Sequence, residues 1–137
     1  MILVDTGPLV ALFDPRDDAH AAAEAVLAAI EDELVTTAPV LTESFHLLGP
    51  ASRGSRALQA FIEGRGMTVW WLGETSLARA FALMADYRDH PMDLADASLV
   101  VAAESLRTTK IFTIDRRDFL TYRAKIGRRM RPFTLVS

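Results

Sequence analysis

The chain has 137 residues, 50% of them hydrophobic, no cysteine and a net charge of −3, which fits one domain spanning residues 1–137 around a single buried core. The absence of cysteine excludes a disulfide framework and fits a reducing cytoplasm. No stretch approaches the ~20 apolar residues that cross a bilayer, so a soluble, cytoplasmic protein without a membrane partner is expected.

Met1 to Val4 reads as a nearly all-apolar strand that stops at Asp5-Thr6-Gly7-Pro8. No basic segment precedes it, and Asp14 closes the apolar stretch before a signal-peptide core could form. A helical turn through Leu9 to Phe13 ends at Asp14-Pro15. The Ala-rich run His20 to Ile30, capped by Asp17 or Asp18, predicts a longer helix. Leu34 to Thr36 reads as a strand, and Thr37 to Pro39 opens a helix through Val40, Leu41, Phe45 and Leu48 that Gly49-Pro50 ends.

A helix over about Ser55 to Glu63 precedes the Gly64-Arg65-Gly66 turn, and Met67 to Leu72 reads as a strand. Its adjacent Trp70 and Trp71 face opposite sides; a covered sheet, the commoner outcome, buries both, whereas an open face leaves one for a partner. Glu74 to Tyr87 forms the next helix and His90-Pro91 breaks it. Asp93 to Leu106 is another helix, with Leu94, Leu99, Val100 and Ala103 on its apolar side. Lys110 to Ile114 is a strand that stops at Asp115, and Pro132 to Val136 is an edge strand. This alternation, without linker or repeat, predicts a three-layer α/β/α domain with a mostly parallel central sheet.

Four acids, Asp5, Glu43, Asp96 and Asp115, stand where these elements begin or end. Strand-final Asp5 and Asp115 can face each other across the switch point of an open parallel sheet, and helices bearing Glu43 and Asp96 can complete the cluster. Carboxylates so gathered repel, and either a proton or a cation must relieve them. With oxygen ligands only, no Cys and three scattered His, Mg²⁺ or Mn²⁺ suits the set and zinc does not.

Each acid also has an ordinary explanation. Asp5 could cap the turn that Pro8 starts, although a Thr6 hydroxyl able to hold the carboxylate and a Gly7 that lets the backbone turn fit a site as well. Glu43 lies in an apolar helical stretch, where burial is costly without a partner or metal. His46, one turn on, is more ordinary as a hydrogen-bonded core residue and stays outside the site. Asp93 and Asp96 share a first turn; the helix dipole accounts for Asp93, while the small residues after Asp96 let that helix lie close to the sheet. Asp115 and Asp118 bracket Arg116-Arg117, and a simple turn uses the same residue types. Asp115 is preferred because it follows the strand, with Thr113 expected to support it as Thr6 supports Asp5.

Residues 107–137 carry nine Lys and Arg against two Asp, while residues 1–106 carry six basic side chains against sixteen acidic ones. Arg116 and Arg117, then Arg123, Lys125, Arg128, Arg129 and Arg131, would draw phosphates close to the site; a solvated surface is the plainer alternative.

The segments MILVDTGPLVALF, APVLTESFHLL, MDLADASLVVAAE and KIFTIDRRDF together resemble the four acidic blocks of PIN-domain nucleases, and specifically the VapC-type toxins of bacterial toxin–antitoxin pairs. The resemblance covers nearly the whole chain. It implies that Asp5, Glu43, Asp96 and Asp115 are the catalytic, metal-binding acids, that Thr6 and Thr113 support them, and that Asp93 and Asp118 are secondary candidates. It further implies an endoribonuclease that cuts single-stranded or structured RNA with a metal-activated water, leaving 5′-phosphate and 3′-hydroxyl ends. A cognate antitoxin protein and a homodimer are the implied partners. The competing readings are an inactive binding module of the same fold, against which the intact acid set speaks, and a metal-dependent phosphatase, which lacks its Asp-x-Asp pair because position 7 is Gly.

Overall fold

A computed structural model describes all of residues 1–137. Its five-stranded sheet has the order β3-β2-β1-β4-β7 and every neighbouring pair is parallel. The central strand is β1 (Ile2–Val4), three consecutive buried aliphatic residues. Leu3 lies opposite Val35 of β2 (Leu34–Thr37) on one side and Ile111 of β4 (Lys110–Phe112) on the other. The outer strands are β3 (Thr68–Trp70), beside β2, and β7 (Thr134–Val136), beside β4. Strands covered on both faces are buried without alternation: β1 is an unbroken apolar run, and β2 ends in two threonines whose buried hydroxyls bond Val4 O and the Ser98 hydroxyl.

Parallel neighbours require crossovers, and the helices supply them. In chain order they are α1 (Thr6–Phe13), α2 (His20–Ala29), α3 (Ala38–Leu48), α4 (Arg53–Glu63), α5 (Glu74–Asp86), α6 (Leu94–Leu106) and α7 (Arg116–Thr121). Helix α6 is the most deeply set: Ala95 and all residues from Ala97 to Ala103 are buried. Its alanines let it approach β1 and β2 closely on one side and α5 on the other. Gly49, at φ +94°, ends α3 in a conformation that side chains resist. The expected cap of α2 is replaced: Ala19 occupies the cap position, and Asp17 instead accepts from the Ala19 N–H at 2.8 Å.

Three departures from the sequence reading stand out. All expected strands but β2, which runs one residue further to Thr37, are shorter than expected, so β4 stops at Phe112 and two residues separate it from Asp115. Trp70 packs half-buried against the core, but Trp71 is 73% exposed, so the two rings do not share the buried fate that a fully covered sheet gives. After Asp115 the chain forms α7 and an antiparallel hairpin of β5 (Arg123–Ile126) and β6 (Arg129–Pro132) before the edge strand. Every β6 residue is exposed, so no apolar alternation marks it in the sequence.

One carboxylate ties the hairpin to two helices of the body. Glu104, near the end of α6, accepts two hydrogen bonds from Arg79 of α5, each 3.0 Å, and one from the Lys125 N–H at 2.7 Å. At the other end of β5, the Arg123 N–H donates to the Tyr87 hydroxyl at 3.0 Å.

Candidate active site

The switch point lies between β1 and β4, because the chain leaves β1 toward β2 on one side and returns to β4 on the other. Asp5 follows β1 directly, and its N–H donates to Phe112 O of β4 at 3.0 Å. The carboxylate is 8% exposed. One oxygen accepts from the Thr6 N–H at 2.8 Å, and the other accepts from the Thr113 hydroxyl at 2.8 Å. Burial pushes the carboxyl up to about 6; these two hydrogen bonds oppose the shift, and the charges of Glu43 and Asp93 add to it.

Both threonines therefore act differently from the expectation. Thr6 steadies Asp5 through its backbone, and its buried hydroxyl has no hydrogen-bond partner. Thr113 serves Asp5 across the sheet rather than Asp115 beside it, although its oxygen also accepts from the Asp115 N–H at 3.1 Å. Gly7 lies within α1 at an ordinary φ; a Cβ there would meet the Ile114 Cβ at 3.3 Å, so its role is close packing and not a turn.

Asp93 caps α6 by accepting from the Asp96 N–H at 2.8 Å. Asp96 is half-buried in the first turn, and the Tyr122 hydroxyl lies 3.3 Å from its Oδ2 and 3.2 Å from the Pro91 carbonyl oxygen. Burial first, then the negative charges of Asp93, Asp5 and Asp118, raise the Asp96 carboxyl to about 8, with the Tyr122 bond opposing. Burial first, then the charges of Asp96 and Asp118, push the Tyr122 hydroxyl upward, so it remains protonated. Asp115 caps α7 and accepts from the Asp118 N–H at 3.3 Å. Asp118 is bonded to His90 Nε2 at 2.7 Å; burial and its contact with Asp115 raise its carboxyl while His90 draws it down.

Asp5, Glu43, Asp93, Asp96, Asp115 and Asp118 all line one open cleft of about 420 Å³, and Asp17 joins them from the loop before α2. All four primary candidates and both secondary ones are thus brought together. Three participants were missed. Asp17 reads in sequence only as a candidate helix cap, His90 only as a helix break, and Tyr122 lies in a stretch with no element signal. His46 is exposed and lies outside this cleft, in a neighbouring pocket.

The basic side chains are distributed differently from the expectation. Arg116 and Arg117 are exposed on α7 beside the acids but are not part of the cleft lining, and Arg116 instead borders a depression against α2 and β7. Beyond Arg123 the hairpin follows α6 away from the cleft toward Glu104, and its Gly127 turn reaches Arg107 at the far end of that helix. Thirteen residues of helix, roughly 20 Å at 1.5 Å per residue, separate that turn from Asp93.

No three acidic or His side chains close into a ready coordination cage. The donor chemistry still fits a hard divalent cation: the side-chain donors of the cleft are carboxylate oxygens and the Thr6 hydroxyl, without nitrogen or sulfur, and burial first, then neighbouring negative charge, raises the carboxyls of Asp5 and Asp96.

Comparison with known proteins agrees with this geometry. The family profile described as "PIN domain" matches residues 2–125. Ribonuclease VapC26 of Mycobacterium tuberculosis (strain ATCC 25618 / H37Rv) is 32% identical over 139 residues, covering 98% of this chain and 99% of that protein. Among solved structures, the sarcin-ricin loop cleaving toxin VapC20 of Mycobacterium tuberculosis superimposes with a TM-score of 0.78 at 20% identity, covering 85% of this chain and 91% of that one. A toxin-antitoxin complex from Klebsiella pneumoniae gives 0.68 at 21% identity, covering 88% and 92%. VapBC2 from Rickettsia felis, bound to a DNA fragment from its promoter, gives 0.65 at 13% identity, covering all of both chains.

Proposed function

Because the chain belongs to the PIN-domain family, and is similar over its whole length to a VapC ribonuclease, we propose that it is a metal-dependent endoribonuclease acting as the toxin of a toxin–antitoxin pair. The observation that carries this reading is the convergence of six carboxylates on one cleft at the switch point of the sheet.

Asp5, Glu43, Asp96 and Asp115 would hold Mg²⁺ or Mn²⁺, with Asp93 and Asp118 shaping the rim. When bound, the cation supplies Lewis acidity and lowers the pKa of a coordinated water, making it a nucleophile for a phosphodiester. The protein's own groups do the positioning. Thr113 and the Thr6 N–H fix both oxygens of Asp5, so the carboxylate is held in one orientation. Tyr122 holds Asp96 from behind, and His90 holds Asp118. Arg116 and Arg117 stand just outside, where they attract phosphates that flank the cut without neutralising the acids. No side-chain nucleophile is required.

The partners follow from the same charge distribution. An antitoxin with a basic segment complements the acidic cleft, and the relatives in the Klebsiella and Rickettsia structures are toxin-antitoxin assemblies. We assign residues 1–137 to one nuclease domain that works as a homodimer in the cytoplasm. Purified, antitoxin-free protein is expected to cut RNA with Mg²⁺ or Mn²⁺ and to stop with EDTA. Cutting that persists in EDTA, or at the wild-type rate in Asp5→Asn, would overturn the assignment.

A further inference from the structure

We propose that Trp71 forms a stacking subsite for an unpaired nucleobase next to the scissile phosphate. This rests on the ribonuclease reading above and identifies where its substrate continues. Trp71 follows the end of β3 with its indole 73% exposed, although tryptophan is highly buried on average. It walls an open pocket of about 720 Å³ together with Pro39, Leu72 and Leu94. Glu43 and Asp93 line both this pocket and the acidic cleft, so the two are continuous across those side chains.

Continuity matters because RNA is a polymer. A phosphodiester placed among the carboxylates carries a nucleotide on each side, and one of the two must leave the cleft past Glu43 and Asp93. The pocket contains no Lys or Arg, so it offers nothing to a phosphate. Its indole and aliphatic wall suit the face of a base, and His46 at the edge offers a hydrogen-bonding group to the base rim. A second copy of this chain fits less well, since a two-fold seam through this pocket would bring the Glu43 and Asp93 charges of both copies into one interface. A neutral base brings no such conflict.

The test is cleavage of a short, mixed-sequence single-stranded RNA in Mg²⁺ by the wild type, Trp71→Ala and Trp71→Phe. Each is repeated on RNAs carrying an abasic nucleotide at successive positions around the mapped cut. Trp71→Ala is expected to raise KM about 5- to 100-fold with little change in kcat, and Trp71→Phe to restore most of it. One abasic position should weaken the wild type by a similar factor and cost Trp71→Ala nothing further. An unchanged KM, or abasic losses that simply add to that of the variant, overturns the subsite. So does a Trp71→Ala protein whose mass by sedimentation falls from dimer to monomer, which makes the pocket a seam between copies. Loss of antitoxin binding with KM intact also overturns it. Wild-type protein that cuts no RNA defeats the ribonuclease reading itself, whereas wild-type cutting matched by both variants defeats only this proposal.

Discussion

Thr113 and Asp5 lie 108 residues apart in the chain, and the hydroxyl of one donates to the carboxylate of the other at 2.8 Å across adjacent parallel strands. This bond opposes the shift that burial imposes on Asp5, so it keeps a buried acid closer to the ionised form a cation needs. Thr113→Val, which keeps the shape and removes the donor, should weaken Mn²⁺ binding by roughly 10- to 100-fold, the usual cost of losing a group that orients a metal ligand. Calorimetric titration of Mn²⁺ checks this, and an affinity equal to wild type would show that the hydroxyl is dispensable.

Stability of the metal-free protein should fall as pH rises. The carboxyls of Asp5 and Asp96 are raised in the folded state from 3.8 to about 6 and about 8. Between pH 4 and those values the folded chain binds protons that the unfolded chain has released, so the stabilisation is fully present below the unfolded pKa and is lost as pH climbs through the folded one. Thermal melts in EDTA should therefore drift downward to about pH 6 through both acids, and on to about pH 8 through Asp96 alone. Added Mg²⁺ should flatten the slope, since a cation binds the ionised form. A melting temperature that rises over this window without metal would contradict the crowding.

Asp96→Asn separates chemistry from folding. Cleavage should drop by more than about 100-fold, because a ligand and its charge are both lost. In metal-free buffer at pH 8 or above, the same variant should melt roughly 3–5 °C higher, for about 1 kcal/mol gained by removing a buried charge and its repulsion, after allowing for solvent around a half-buried carboxyl. The difference should shrink as pH falls and vanish only below about pH 4, where the carboxyl is protonated in the folded and the unfolded chain alike. A lower melting temperature at pH 8 would count against the assignment.

For Arg116 and Arg117, salt is the diagnostic. Replacing both by Ala should raise KM for RNA and reduce the slope of log affinity against log salt by about 1.4, the value for two contacts at ~0.7 per phosphate on a single strand. Both residues lie outside the cleft lining, so kcat on bound RNA should change little. An unaltered salt slope would assign them to the solvated surface.

Glu104 should matter for stability and not for catalysis. Its three hydrogen bonds from Arg79 and the Lys125 N–H join α5, α6 and the hairpin, and Arg79 is held charged by the pair. Glu104→Ala should cost about 2–3 kcal/mol by denaturant titration, the range for losing charge-assisted hydrogen bonds. Faster hydrogen exchange should appear first in residues 123–132. Protection there equal to wild type would show that the hairpin is held by other contacts.

Much of the fold up to Asp115 is legible from sequence, because its strands are apolar runs and its helices carry 3.6-residue spacing between turn residues. The convergence of acids follows from the same pattern for three of them: a carboxylate after β1, one after β4 and one in the first turn of α6 have few other places to point, whereas Glu43 lies in the middle of α3 and not at the end of an element. What stayed hidden depends on partners distant in sequence. Nothing near Thr113 says that its hydroxyl turns to Asp5 and not to Asp115. His90 and Tyr122 look like a helix break and a tail aromatic until β5 is laid against α6. The hairpin was invisible because β6 exposes every side chain and so leaves no mark of hydrophobic periodicity.

The order in which the sheet is threaded also bears on synthesis. The central strand, β1, is made before the other strands of the sheet, whereas β4 and the loop bearing Thr113, Asp115 and Asp118 follow more than a hundred residues later. A nascent chain that has already folded its first hundred residues still lacks one wall of the cleft and the hydroxyl that holds Asp5. The acidic cleft is therefore completed only once β4 is laid beside β1, and a chain cut short before Thr113 has no such wall.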